Sequence, residues 1–419
     1  MIEDLRNAFN VNFHSGSYHS LLSHLDARAG TRIEFRVAET PVFLPKAMLD
    51  EIASAGVQLT HRLLSWPEYL QAADRSIPEG YRVAGSSEHP HFLTADFALV
   101  ASPAGELLPR LVEIQAFPSV YAYQAMLNEE YSRAFTLPRD LGVYLSGLDK
   151  DGFWNLLRQT ILGKHSPENV VLTEVDPWHQ KTLPDFLLTA QQLGIAVVDI
   201  STLVPVGNKL HYRNETGDLI PIHRIYNRAI ADEMIGRQIQ LPFELTAPWD
   251  VEWAGHPNWY FLISKYSVPW LCEAGEAVVP PAVFLDDFLN GEGYDALKTA
   301  GVRLPANNGA SSVYEDLLLK PLFSFAGKGI QFAPVRADLA SIPAAERGNY
   351  LLQQRMHFIP TIRTPHGPTQ AEIRILYLWP DGGDLTPALP LVRLGRGKMM
   401  GVDHNRNQEW VGASAAFWR

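Results

Sequence analysis

The sequence predicts a mixed α/β protein built from two or three packed modules. Three observations predict it. The segments "ENVVLTEV", "WHQKTLPDFLLTAQQLG" and "IAVVDIS" succeed one another as strand, helix and strand, the spacing of a βαβ half-unit with a parallel pair. "FLTADFALVA" and "LLPRLVEIQA" flank the turn "SPAGE" as a strand pair. The chain has 419 residues, more than one ordinary core holds, and its 46% apolar and 19% charged content belongs to a globular chain rather than a disordered one.

Taken in order, residues 1–165 form a mixed α+β region. Helices are expected at Tyr18–Ala29, Pro45–Ala55 and Trp66–Ala73, then the strand pair, then a helix over "DKDGFWNLLRQTIL". Residues 166–244 carry the βαβ unit, whose helix ends at Gly194, followed by "KLHYR" and "LIPIHRIYNR" as a hairpin. Residues 245–419 begin with "PWDVEWAGHPNWYFLISKYSVPWL" and end in several strands: "NYLLQQRM", "AEIRILYLW", "LPLVRLGRG" and "AFW".

Composition excludes some functions. The net charge of −11 and pI near 5.7 argue against nonspecific nucleic-acid binding through a basic surface, while leaving room for a local cationic pocket. The one cysteine, Cys272, forms no intrachain disulfide or cysteine metal cluster and reads as a small buried residue. Met1–Asn10 contains Glu3, Asp4 and Arg6 and has no apolar signal core. No apolar run reaches the roughly 18 residues of a membrane span. The expectation is a soluble, cytoplasmic protein with neither membrane nor nucleic acid as partner. Asn214-Glu215-Thr216 then reads as a loop, not a glycosylation site.

The chemistry concentrates in "LLLKPLFSFAGKGIQF", Leu317 to Phe332. Lys320 in an apolar strand is either a snorkelling lysine or a buried charge, and Pro321 closes the strand. Gly327 and Gly329 let backbone N–H groups approach an anion, and Lys328 adds a point charge. The Walker spacing fails, because Leu322 stands where its first glycine belongs. Lys265, in "ISKYSVPWL", is a second lysine in an apolar setting. Glu113 and Gln115 are two apart on a strand and therefore share a face.

This order of lysine, strand-lysine-proline, glycine loop and later strand resembles the ATP-grasp ligases. The resemblance is strongest to their circularly permuted branch, the glutathionylspermidine synthetase and eukaryotic glutathione synthetase type, from Phe92 onward. It implies a circularly permuted ATP-grasp fold with a βαβ substrate domain ahead of the nucleotide-binding region. Lys265 and Lys320 would hold the α- and β-phosphates of ATP, and the Gly327–Gly329 loop with Lys328 would cover the triphosphate. The strand end at Gln353 and Gln354 would meet adenine. On the match to "TADFALVASPAGELLPRLVEIQAFPSVYAYQ", Asp96, Glu113 and Gln115 are the Mg2+ ligands, oxygen donors that suit this ion.

Three departures stand out. Gln115 replaces an asparagine, the turn between Asp96 and Glu113 is longer, and Thr94 stands where the family has an arginine. Losing such a preorganised cation costs about 10²–10³ in rate. Arg224 and Arg228 are the expected catalytic replacements and Arg36 is another; each is equally readable as a salt-bridge residue. Arg374 and Arg393 would reach phosphate from neighbouring strands or be structural. A competing metal set is Asp403 and Asn405 with Glu372, against a plain polar turn. His89 and His91 share a strand face but lack further ligands for zinc. No cysteine amidase module of the kind fused to some of these synthetases is expected.

The resemblance implies an ATP- and Mg2+-dependent ligase joining a small carboxylate to an amine through an acyl phosphate. Two alternatives stay open: a phosphotransferase on the same fold, and a nucleotide-binding homologue without ligase activity. The identity of the acid and amine, and the oligomeric state, are not legible.

Overall fold

A computed structural model describes residues 1–102, 104–323, 327–401, 405 and 407–419. The strand pair joins a six-stranded sheet that draws on both ends of the chain. Its order is β1 (Val42–Leu44), β17 (Gly412–Trp418), β16 (Thr386–Gly395), β15 (Gln370–Leu378), β2 (Phe92–Ala101) and β3 (Leu107–Gln115). β1 runs parallel to β17 and the other pairs are antiparallel. Alternation along β2 and β15 gives the sheet two unlike faces. Leu93, Ala95, Phe97, Ile373, Ile375 and Tyr377 pack into the main apolar core, which also holds Leu49, Ile52 and Leu59 of the helix Lys46–Leu64. Thr94, Asp96, Glu372 and Arg374 alternate with them and line a cavity.

A second sheet is wholly parallel, in the order β10 (Glu252–Ala254), β9 (Arg224–Asn227), β4 (Val170–Glu174), β5 (Ala196–Asp199). The expected parallel pair is β4 and β5. Between them runs the helix Leu183–Leu193, closed by Gly194 in the left-handed region at φ 74°. A small antiparallel sheet follows, β6 (Val204–Val206), β7 (Lys209–Arg213) and β8 (Leu219–Pro221), which buries Leu210 and Tyr212 on one face. The chain then returns to the other side of β4 as β9. This reversal around β4 opens a crevice at the carboxyl ends of β4 and β9, where Glu174 and Arg228 sit.

A third, antiparallel sheet has the order β11 (Ala282–Phe284), β14 (Tyr350–Gln354), β12 (Leu317–Pro321), β13 (Gln331–Phe332). Its own small core holds Leu317, Leu319, Leu352 and Phe288. No described helix is long and apolar enough to cross a membrane.

Differences from the sequence expectation have physical reasons. "LIPIHRIYNR" is two strands in different sheets: β8 is an edge strand of the small antiparallel sheet, with Leu219 exposed, whereas β9 is buried throughout. The helix Tyr121–Ala134 was not expected. Tyr121 to Asn128 is buried without interruption, so no polar face marks its period.

Gly56 shows how tightly the helix Lys46–Leu64 sits on the sheet. A Cβ there would lie 2.0 Å from the Tyr377 hydroxyl oxygen. That hydroxyl is buried and donates to the Ala53 carbonyl at 3.1 Å. Alanine in a helix normally gains about 0.5–1 kcal/mol over glycine, but overpacking costs about 1–3 kcal/mol and wins here. Gly56→Ala is therefore predicted to lower the thermal midpoint by a few degrees; a midpoint at or above wild type would contradict this packing.

Candidate functional site

The three sheets enclose a cavity of about 1180 Å3. Its floor is the polar face of the six-stranded sheet. Register sets the pairs: Asp96 lies opposite Glu113 on one side and Arg374 on the other, and Glu372 lies opposite Arg393. Arg374 grips Asp96 with two parallel hydrogen bonds, Nε to Oδ1 at 2.5 Å and Nη2 to Oδ2 at 2.7 Å. Arg393 donates to Asp96 Oδ2 as well and forms an ion pair with Glu372. Burial pushes the Asp96 carboxyl upward, but Arg374 and Arg393 outweigh it and hold the group below the usual carboxylate range. Glu372 goes the other way: burial raises it, Asp96 adds to the rise, and Arg393 opposes it.

The two lysines enter the same cavity from elsewhere in the chain. Lys265 lies between the short helices Trp259–Leu262 and Ser267–Glu273, and its Nζ pairs with Glu113 Oε1 at 3.2 Å. Lys320, on β12, donates to the Val112 carbonyl at 3.4 Å. Val112 is the extra residue of a bulge: Asp96 faces Glu113, but Phe97 faces Leu111. Both lysines are 5% exposed. Burial lowers the Lys320 ammonium to about 8, with Lys265 pushing the same way and Glu113, Glu372 and Asp96 opposing.

Gly327 and Lys328 line the cavity and Gly329 does not. Gly327 and Gly329 adopt φ of 74° and 79°, and a Cβ on Gly327 would strike the Met399 methyl. The glycine loop therefore abuts the Arg396–Gly401 stretch, which contributes Arg396, Lys398 and Met399 to the wall. Leu318, Ile330, Phe332 and Met356 make one end of the cavity apolar. Arg355 and Lys398 lie over the Phe332 ring, 5.5 and 5.8 Å from its centre.

The parallel sheet supplies the opposite end. Glu174, at the carboxyl end of β4, is raised to about 8 by burial and by Glu233 and Asp199, against the Val175 N–H and Arg228. Arg228 is held by Asp185 Oδ2 at 3.1 Å, the Tyr226 hydroxyl at 3.3 Å and the Ser119 carbonyl.

The cavity thus gathers Asp96, Glu113, Gln115, Lys265, Lys320, Gly327, Lys328 and Arg228, together with Glu372, Arg374 and Arg393. Other expected site residues lie elsewhere. Arg224 is buried outside the cavity, 3.0 Å from Glu252 and 2.9 Å from Asp381, so its charge is compensated there. Arg36 bonds to Glu39, the Tyr18 hydroxyl and the Gln408 carbonyl, also outside. Gln353 and Gln354 do not reach the cavity; Gln353 is fully buried, and its amide has no partner among the described residues. The residues after that strand, Arg355 to Phe358, line the wall in their place. Asp403 lies outside the described residues, and Asn405 closes its own loop onto the Met399 and Gly401 carbonyls. His91 pairs with Asp381 at 2.8 Å. Cys272 is half-buried and does not line this cavity.

As placed, the carboxylates expected to hold Mg2+ are engaged by cations, while Gln115 lines the cavity beside them. Both Asp96 oxygens accept from guanidinium groups, Glu113 is paired with Lys265, and Glu372 with Arg393. Among the described residues no group of three or more His, Cys, Asp or Glu is placed to hold a metal ion. Residues missed from the sequence are Glu174, Arg355, Arg396 and Lys398. The basic "GRGK" run beside a second glycine loop was the available signal for the last two.

No family model matches the chain, and no curated protein sequence does. Among solved structures, the chain is similar to a glutathione synthetase-like effector from Globodera pallida in its apo form. The TM-score is 0.55 at 11% identity, over 96% of each chain. A protein of Methylobacillus flagellatus KT, provisionally assigned as a gamma-glutamylcysteine synthetase, gives a TM-score of 0.37 at 12% identity, over 90% of this chain and 89% of that one. The first similarity shows that this chain has a mixed α/β, glutathione synthetase-like fold.

Proposed function

We propose that this chain is an ATP-dependent ligase, joining a carboxylate to an amine through an acyl phosphate, on a circularly permuted ATP-grasp fold. One observation carries the reading: Lys265 and Lys320, 55 residues apart in sequence by their numbers, present buried ammonium groups to one cavity beside Glu113. Two buried cations in one cavity suit a polyphosphate. The apolar end at Leu318, Ile330 and Phe332 suits a purine. The crevice at Glu174 and Arg228 supports a site for the acid and amine, because ligands of open parallel sheets bind at such reversals. The glutathione synthetase-like fold supports the same class.

In this reading the substrate carboxylate attacks the γ-phosphorus of ATP in line and ADP leaves. The amine then attacks the acyl carbon, inorganic phosphate departs, and the amine gives up a proton to solvent. Lys265 and Lys320 orient the phosphates, and the glycine loop with the Arg396–Gly401 stretch excludes water. No protein nucleophile is needed, and the chain's contribution is positioning and electrostatics.

The test is a calorimetric titration with ATP and a screen for phosphate release on acid–amine pairs. ATP binding is predicted, with phosphate release that requires both acid and amine. Release of a phosphorylated product instead would mark a phosphotransferase; binding without turnover would mark a homologue without ligase activity, the reading that Thr94 favours. Lys320→Ala is predicted to weaken ATP about tenfold or more, since a hydrogen bond to a charged group contributes about 1.5–3 kcal/mol. Unchanged affinity would remove Lys320 from the site.

The pH dependence has a fixed sign. A phosphate binds the protonated amine, and Lys320 loses its proton near 8 rather than near the ordinary 10.5. ATP affinity should therefore be full at pH 7 and decline as pH rises through about 8. Lys320→Arg should lessen the decline, because arginine stays charged throughout, leaving the part due to Glu174, which gains its negative charge near 8 in the same cavity. An affinity flat to pH 9.5 would contradict the assignment.

A further inference from the structure

Arg374 is a cation of the buried ion cluster that stays open to the cavity. A guanidinium carries five N–H donors. Arg374 directs two at Asp96 and one, from Nη1, at the Ser119 hydroxyl 3.3 Å away, which leaves two. Its side chain is 19% exposed and lines the cavity. Arg393 also lines the cavity, its side chain 23% exposed, but the nitrogen through which it pairs, Nη2, is shared between two carboxylates, Asp96 and Glu372.

The surroundings select the ligand. Glu113 pairs directly with Lys265 and lies close enough to act electrostatically on both Lys320 and Arg374. Lys265, Lys320 and Arg374 thus converge around Glu113; counted with Arg393, Asp96 and Glu372, four cations face three carboxylates, and the planar fork of Arg374 beside two ammonium groups suits a phosphate. Asp96, gripped through both oxygens, fixes the plane of the Arg374 guanidinium and has no oxygen free of arginine.

We infer that Arg374 binds a phosphate group of the ligand in this cavity, and that Asp96 is the positioning residue that holds its guanidinium, not a metal ligand. This rests on the nucleotide reading only for the rest of the ligand; the chemistry required is a polyphosphate.

The experiment titrates the full chain with ATP, inorganic tripolyphosphate and AMP, each in excess EDTA and again in Mg2+. The variants are Arg374→Lys and the double substitution Asp96→Asn with Arg374→Met, which leaves neither buried charge alone. Thermal unfolding checks that both fold. Arg374→Lys should weaken ATP and tripolyphosphate severalfold, and the double variant about tenfold or more, by the same factor with and without Mg2+. AMP affinity should stay within about twofold in both. Full affinity in the double variant overturns the proposal. So does a loss seen only in Mg2+, which would make Asp96 a metal ligand, or an equal loss for AMP, which would mean general collapse of the site. Should wild type bind tripolyphosphate but not ATP, the Arg374 assignment stands and the nucleotide reading falls. Should it bind neither, both fall.

Discussion

A carboxylate with almost no access to water, gripped by two guanidinium groups, sets the terms for this structure. Asp96 sits midway along β2, the strand next to the edge of the six-stranded sheet, and taking it out of water would be very unfavourable were it alone. Arg374 and Arg393 on the next two strands compensate it, and Glu372 in turn compensates Arg393. The cluster is therefore a set of mutual dependencies. Removing Asp96 alone takes the paired carboxylate from Arg374, and removing Arg393 alone takes the paired cation from Glu372, each a costly state in a low-dielectric interior. This fixes the register of β2, β15 and β16 and gives one face of the sheet a rigid charged floor.

That floor has consequences for the rest of the chain. It is built from strands at opposite ends of the sequence, so the first region and the last fold as one sheet. The opposite face of the same strands is apolar and carries the helix Lys46–Leu64, with Gly56 allowing close approach to Tyr377. With the floor in place, the segment holding Lys265 and the strand holding Lys320 are brought over Glu113 and Val112. The parallel sheet closes the far side with Glu174 and Arg228. A net negative chain thereby encloses a cavity rich in cations, which the overall charge conceals.

What the sequence revealed follows a pattern. The strand pair, the βαβ unit and the shared face of Glu113 and Gln115 were legible because period-2 alternation and a helix closed by glycine are local signals. The lysines were legible as charges in apolar surroundings. The partners of Asp96 were not, because Arg374 lies 278 residues away and meets it only through strand register. Arg224 and Arg228 look alike in sequence, yet the strand ends between them: Arg224 pairs with Glu252 and Asp381, and Arg228 reaches the cavity wall. Gln353, near a strand end, reads from sequence as a ligand contact, whereas the sheet buries it and the chain beyond meets the cavity.

The central claim is spatial: ammonium groups from Lys265 and Lys320 and the Arg374 guanidinium surround the phosphates of one ligand. A crystal structure of the chain with a non-hydrolysable ATP analogue tests it most directly. The account predicts the β- and γ-phosphates within hydrogen-bond distance of Lys320 and Arg374, with the base toward Phe332. An analogue lodged away from both side chains, or a bound state in which Lys265 and Lys320 face separate cavities, would contradict it.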